Sequence, residues 1–305
     1  MRIKLYSHTD WDGNSPYILL KTYYPTANIS YSFCNYGDID EKVQEFLDSK
    51  EYQNYDYIYI TDISVSEKIA ERLQKIADET KIIIRLFDHH QTALHLNKFD
   101  FCEVMIEKNE EPICATKLFY QYFTEELNLE KKDYVERYVK YVNDYDTWLW
   151  ENKYHYDLPD KWNTLFQFYG RLNFIENVLK KFEKNKTTFT ETDQLILDIE
   201  AQKKQSYIKN KMNDVFEKKI DGENCAIVFA EQYTNDIATA LKETCPNSDI
   251  QIVIGQRGIS YRSRSNKDIN LGDFVKQFGG GGHKKAAGSQ ITREMREKMI
   301  NVIFY

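Results

Sequence analysis

Aspartates and histidines gather at four places in this sequence, each directly after an apolar segment. His8, Asp10 and Asp12 follow residues 3–7, Asp62 follows residues 55–60, Asp88, His89 and His90 follow residues 82–87, and Asp144 and Asp146 follow residues 133–142. Taken singly these clusters carry little weight, since adjacent histidines occur on solvated loops and a lone aspartate often caps a helix. Taken together, His8, Asp10, Asp12, Asp62, His89 and Asp144 are six candidate metal ligands, with His90 and Asp146 beside them. That is too many for one zinc. Carboxylate oxygens mixed with imidazole suit Mn²⁺ or Mg²⁺, and two ions about 3.5–4 Å apart, bridged by one carboxylate, would relieve the repulsion among the aspartates. Such a pair clamps a phosphate and lowers the pKa of a bridging water, which makes hydroxide available for in-line attack. The chemistry this predicts is hydrolysis of a phosphoester or phosphoanhydride.

The elements that must position these groups can be read from periodicity. Residues 3–7 form a short buried strand, and residues 17–24 a helix that Ser15 can cap and Pro16 can start. Period-two spacing on the strand end would point His8, Asp10 and Asp12 to one side. Further strands are expected over 28–33, 55–60 and 82–87, and helices over 40–47 and 67–80. Ser64 or Ser66 can cap the second of these helices, which frees Asp62 for other work. Polar ligands at successive strand ends are the pattern of a parallel sheet with its active site along one edge. Helices over 112–127 and 133–142 follow, and Asp144 and Asp146 then fall in an acidic turn.

From residue 165 to about 216 the chain reads as long charged helices, and beyond Asp221-Gly222 its character changes. Strands over 225–230 and 249–255 flank a helix over 235–243, which makes a separate small α/β unit. Five of the twelve glycines, Gly279, Gly280, Gly281, Gly282 and Gly288, fall within ten residues around His283. Between Arg257 and Lys285 seven Lys/Arg stand against two Asp, although the whole chain carries a net charge of −7. A glycine run lets backbone N–H groups approach a phosphate, and Arg262, Arg264 and His283 supply donors and charge. A flexible linker is the poorer reading, because the run passes into what looks like an Ala-rich helix start at Ala286-Ala287.

The bulk numbers fit a globular protein of two domains: 305 residues, 42% hydrophobic and 29% charged. Five widely spaced cysteines with no Cys-x-x-Cys pair read as buried thiols of a reducing compartment. The polar start argues against a signal peptide, and no apolar run approaches the roughly 18 residues of a membrane span. A cytoplasmic location with no membrane partner is the expectation. Tyrosine (23) and phenylalanine (17) are abundant, and packing accounts for most of them.

His8-x-Asp10-x-Asp12-Gly13, Asp62, Asp88-His89-His90, Asp144 and Gly279-Gly280-Gly281-Gly282-His283 with Ala286-Ala287-Gly288, in this order, resemble the motifs of the DHH/DHHA1 phosphoesterases. The resemblance spans nearly the whole chain, and within the family it is greatest to the B-type nanoRNases and more distant to the RecJ exonucleases. It departs from the commoner pattern in having one residue, not three, between the first His and the first Asp. It implies an α/β protein with a parallel-sheet DHH catalytic domain (1–164), a helical connector (165–220) and a smaller α/β DHHA1 substrate-binding domain (221–305), with the active site in the cleft between domains. It also implies that His8, Asp10 and Asp62 hold one Mn²⁺ and Asp12, Asp62, His89 and Asp144 the other, with Asp146 as the alternative to Asp144 and Mg²⁺ as the alternative ion. His90 would contact the scissile phosphate, Asp88 would orient a histidine, and Arg262, Arg264, Gly280, Gly281, Gly282 and His283 would hold the substrate.

The expected activity is an exonuclease or phosphodiesterase that trims short single-stranded RNA or DNA oligonucleotides to 5′-mononucleotides. Net acidity outside the basic patch favours short substrates over long duplexes. The same site chemistry would serve small molecules such as dinucleotides, 3′-phosphoadenosine 5′-phosphate or polyphosphate. A catalytically inactive nucleic-acid-binding scaffold is disfavoured by the retention of six ligand positions.

Overall fold

A computed structural model describes residues 1–264 and 269–304. Lys267 and Asp268, two of the charges counted in the basic stretch, lie outside the described residues. The chain divides into two compact units, Met1–Leu197 and Asp198–Tyr305.

In the first unit five parallel strands are ordered β2-β1-β3-β4-β5: β1 (Arg2–His8), β2 (Asn28–Cys34), β3 (Tyr57–Thr61), β4 (Ile83–Asp88) and β5 (Cys102–Val104). Side chains alternate across the sheet, so Ile3, Leu5, Tyr59 and Phe87 enter one core while Tyr6, Ile58, Ile60, Ile84 and Leu86 enter another. The helices α2 (Ile39–Asp48) and α3 (Glu67–Glu79) cover the second face through Val43, Phe46, Ile69 and Leu73. The first face is covered by α1 (Trp11–Tyr23), α4 (Ala115–Gln121), α5 (Asp133–Asp146) and α6 (Leu158–Phe182), the last broken at Gly170. Each aliphatic side chain removed from water in this way contributes about 1.5–3 kcal/mol. A two-stranded ribbon, β6 (Glu107–Lys108) and β7 (Glu111–Pro112), leads into α4.

Helix α7 (Glu191–Lys211) contains the boundary between the units. The second unit has a six-stranded mixed sheet ordered β12-β13-β11-β10-β9-β8. Its strands are β8 (Phe216–Ile220), β9 (Glu223–Phe229), β10 (Ile250–Ile254), β11 (Gly258–Ser263), β12 (Gly281–Gly282) and β13 (Ala286–Gln290). Helix α8 (Thr234–Thr244) packs Ile237, Ala238 and Leu241 on one face, and α9 (Leu271–Phe274) packs Leu271 and Phe274 on the other. The last helix, α10 (Arg293–Phe304), buries no residue.

Three local expectations change. Helix α1 starts at Trp11, not at Pro16, because Asp10 accepts from the Gly13 N–H at 2.9 Å and caps it; Pro16 lies inside the helix. Helix α5 continues through Asp144 and Asp146 instead of ending at Val142. Ala286 and Ala287 open no helix: they pair with Arg262 and Tyr261 as strand β13. Four of the five cysteines are buried and none is in a disulfide. Among the described residues no helix is long and apolar enough to cross a membrane.

Candidate metal centre

In a parallel sheet ordered 2-1-3-4-5 the chain reverses direction between β1 and β3, and the crevice at that switch point, beyond the carboxyl ends of the strands, is where ligands bind. His8 ends β1, Asp62 follows β3 and Asp88 ends β4, so the sheet delivers these groups to one rim. Ser7 and Thr61, paired across β1 and β3, tie the two strand ends together through their hydroxyls at 2.7 Å. The turn from strand to helix, not strand alternation, aims Asp10 and Asp12: the first is the cap of α1 and the second sits in its first turn.

Asp62 is the centre of the cluster. It is 1% exposed and adopts a left-handed φ of 58°, a conformation that costs about 1–3 kcal/mol for a residue with a side chain and concentrates at functional sites. Its Oδ2 lies 3.6 Å from His8 Nδ1 and its Oδ1 3.3 Å from His89 Nε2. His8 Nδ1 also meets Asp10 at 2.8 Å, and His89 Nε2 meets Asp146 at 3.3 Å and Asp12 at 3.9 Å. The sets His8/Asp10/Asp62, Asp12/His89/Asp146 and Asp62/His89/His90 each bring their ligand atoms within 4.8 Å of one another.

The electrostatics show what such crowding costs. Burial, and then the charges of Asp12 and Asp10, hold the Asp62 carboxyl well above the usual range. Burial and Asp12 likewise push Asp146 up to about 7. The hydrogen bond to Asp10, and then the Asp62 carboxylate close by, raise His8 to about 10, so at neutral pH an imidazolium supplies positive charge here. Asp62 Oδ2 and Asp146 Oδ2 are buried without a hydrogen-bond partner among the described residues. Orphaned carboxylate oxygens among imidazoles are a donor set that fits divalent cations of the Mn²⁺ or Mg²⁺ kind.

Around the cluster the partners are specific. Asp88 is fully buried, and its Oδ1 accepts from His90 Nδ1 at 2.6 Å and from the His89 N–H at 2.7 Å, while Ser64 donates to Oδ2. Although burial acts against it, the His90 bond keeps the Asp88 carboxyl below its ordinary pKa. Asp12 has a second duty, accepting the N–H groups of Ala115 and Thr116 at 3.0 and 2.9 Å and so closing the start of α4. Asp144 Oδ2 is occupied by the Lys140 ammonium and the Tyr156 hydroxyl, whereas Asp146 faces His89.

Sequence reasoning missed Tyr36, whose hydroxyl is 2.9 Å from His90 Nε2 and whose ring centroid is 5.5 Å from that of His8. Its only signal was an aromatic residue between β2 and α2.

The second unit carries the remaining candidates. Arg262 is half-buried, with Nη2 held by Asn235 at 2.8 Å, and His283 is exposed. Arg264 instead spends Nε and Nη2 on backbone carbonyls of Ser248, Cys245 and Lys242, closing the end of α8. The glycines divide as well. A side chain at Gly280 would collide with the Gly288 carbonyl, and Gly282 has φ 146° with Ala287 Cα 2.5 Å from any added Cβ. Both positions are demanded by the close approach of β12 to β13, while Gly281 faces open space.

Residues 214–304 match the DHHA1 domain family. The chain is 29% identical to oligoribonuclease NrnB of Bacillus subtilis over 98% of its own length and 75% of the relative's. Among solved structures it superposes on the pGpG-specific phosphodiesterase PggH of Vibrio cholerae with a TM-score of 0.52 and 15% identity, covering 99% of this chain and 97% of that one. It superposes on RecJ of Thermus thermophilus in complex with Mn²⁺ with a TM-score of 0.54 and 14% identity, covering 98% and 51% of the two chains.

Proposed function

We propose that the chain is a DHH-type phosphoesterase with a DHHA1 domain over residues 214–304, and that it acts as a Mn²⁺-dependent phosphodiesterase trimming short oligonucleotides to 5′-mononucleotides. The observation that carries this reading is Asp62, a buried carboxylate lying between His8/Asp10 on one side and His89/Asp146 on the other, with an oxygen left unpartnered. One cation would be held by His8, Asp10 and Asp62, and a second by Asp12, Asp62, His89 and Asp146. Bound there, divalent cations neutralise the aspartates and polarise a phosphodiester toward attack by water.

The chain's own residues do the rest. His90 has Nδ1 fixed by Asp88 and Nε2 on the Tyr36 hydroxyl at 2.9 Å; in its protonated form, with that hydroxyl turned aside, Nε2 would be the atom that donates to a phosphoryl oxygen or to the leaving oxygen. Asp88 is therefore a positioning residue. In the second unit Arg262, its guanidinium oriented by Asn235, and exposed His283 are the groups for a substrate phosphate, whereas Arg264 holds the end of α8. Short single strands suit a chain of net charge −7 whose basic stretch over 257–285 carries seven Lys/Arg against two Asp.

The test is an assay of the purified protein with Mn²⁺ on a 5′-phosphorylated dinucleotide, a labelled 5-mer, a labelled 24-mer and pyrophosphate, beside Asp62→Asn. Wild type should degrade the dinucleotide and 5-mer to mononucleotides far faster than the 24-mer, and Asp62→Asn should lose at least about 100-fold in rate. Cleavage of pyrophosphate alone would turn the reading to a small-molecule phosphohydrolase, and no turnover of any substrate would end it.

A further inference from the structure

Beside His90, within the first unit, is a pocket of about 390 Å³, a size in the range of small-molecule sites. Its apolar lining is Ile39, Val65 and Ala93, all nearly fully buried. Asp88 and His90 bound it, so it adjoins the metal centre, and Tyr36 stands where the two meet. That tyrosine is 58% exposed, although its hydroxyl is anchored to His90 and its ring is perpendicular to the His90 ring at 5.7 Å. A fixed aromatic ring left open to solvent is a stacking surface.

The polar lining narrows the occupant. Among the described residues no lysine or arginine lines the pocket, and its two histidines are engaged, His90 with Asp88 and Tyr36 and His95 through Nδ1 with the Thr92 carbonyl, so no permanently positive group stands inside it for a phosphate. Asp40 does line it; one carboxylate oxygen takes the Ser66 N–H at 2.8 Å, and the other has no partner among the described residues. A neutral planar ring with N–H donors at its edge matches an aromatic face beside a carboxylate acceptor. We propose that this pocket is a nucleobase subsite, which takes the base of a nucleotide flanking the scissile phosphate, stacks it on Tyr36 and offers Asp40 to its N–H groups. The proposal rests on the phosphodiesterase reading, since His90 is shared between the pocket and the place assigned to the phosphate.

The experiment compares a 5′-phosphorylated deoxydinucleotide with two analogues, abasic at the 5′ or the 3′ residue, under Mn²⁺. For one of the abasic analogues wild type should show a KM roughly ten- to a hundredfold higher, with a smaller change in kcat. Tyr36→Ala should show that raised KM on the intact dinucleotide and no further rise on the analogue, and Tyr36→Phe should recover most of the lost affinity because the ring remains. Equal KM for all three substrates with wild type would overturn the subsite. So would an equal fall in kcat on all three with Tyr36→Ala, which would make Tyr36 only a support for His90. If wild type cleaves no dinucleotide, the pocket is judged by 2-aminopurine nucleotide fluorescence, and the phosphodiesterase reading itself fails only if the labelled 5-mer is left intact as well. Quenching by wild type and Tyr36→Phe but not by Tyr36→Ala sustains the subsite; no quenching by wild type ends it.

Discussion

Asp144 and Asp146 show how one local fact decides a residue's part. Read as members of an acidic turn, either could reach a metal, and the sequence offers no way to choose. Both lie on α5, where successive residues turn by about 100°, so two positions separated by one residue point roughly 200° apart. Only one of them can face His89. Asp146 does, at 3.3 Å, while Asp144 is tied to Lys140 and Tyr156. Asp146→Ala should therefore lower Mn²⁺ affinity by at least about 100-fold in calorimetric titration with little loss of fold stability. Asp144→Ala should leave metal affinity within a few-fold and cost about 1–3 kcal/mol in denaturant unfolding. The reverse pattern would return the ligand role to Asp144. Tyr36 was illegible for a related reason: its partner His90 lies 54 residues away, and nothing local to a tyrosine reveals such a contact.

At the level of elements, strand ends were the legible part. Apolar runs that stop at Asp or His can be seen without coordinates, and β1, β3 and β4 end where those runs end. Their order in the sheet was not visible, because it is settled by long-range pairing, and the switch between β1 and β3 is what gathers His8 and Asp62. The glycine-rich stretch misled in an instructive way. A run of glycines is compatible with phosphate approach and with tight strand pairing, and here Gly280 and Gly282 are required by β13 before any ligand is considered. The alanines after it have high helix propensity, yet pairing with β11 overrides it. Gly282→Ala should accordingly cost about 2–4 kcal/mol, from a φ of 146° and a backbone contact at 2.5 Å, read as a fall in Tm. Gly281→Ala should stay within about 0.5 kcal/mol of wild type. Equal effects of the two substitutions on stability would show that strand packing is not the reason for the glycines.

For the molecule as a whole, the metal centre links stability to pH. Asp62 and Asp146 have folded-state pKa values raised above the unfolded carboxylate range, by burial first and by Asp12 next. The stability associated with a raised carboxyl is present below the unfolded pKa and is lost as pH rises through the folded one, about 7 for Asp146. Without divalent cations the protein should thus become less stable through this group between about pH 4 and 7, as the buried carboxyls are forced to ionise beside one another. Cations bind the ionised form and reverse the sign. A carboxyl with a pKa of about 7 is ionised in roughly one molecule in eleven at pH 6 and ten in eleven at pH 8, so Asp146 alone should tighten Mn²⁺ binding about tenfold over that interval. His8, held near 10 by Asp10 and Asp62, must also give up its proton on ligating, which steepens the dependence. The Tm gain on adding saturating Mn²⁺ should be larger at pH 8 than at pH 6, and titration in buffers of different ionisation enthalpy should show protons released on binding. A Tm gain independent of pH, with no proton release, would mean that the cations bind away from His8 and Asp146.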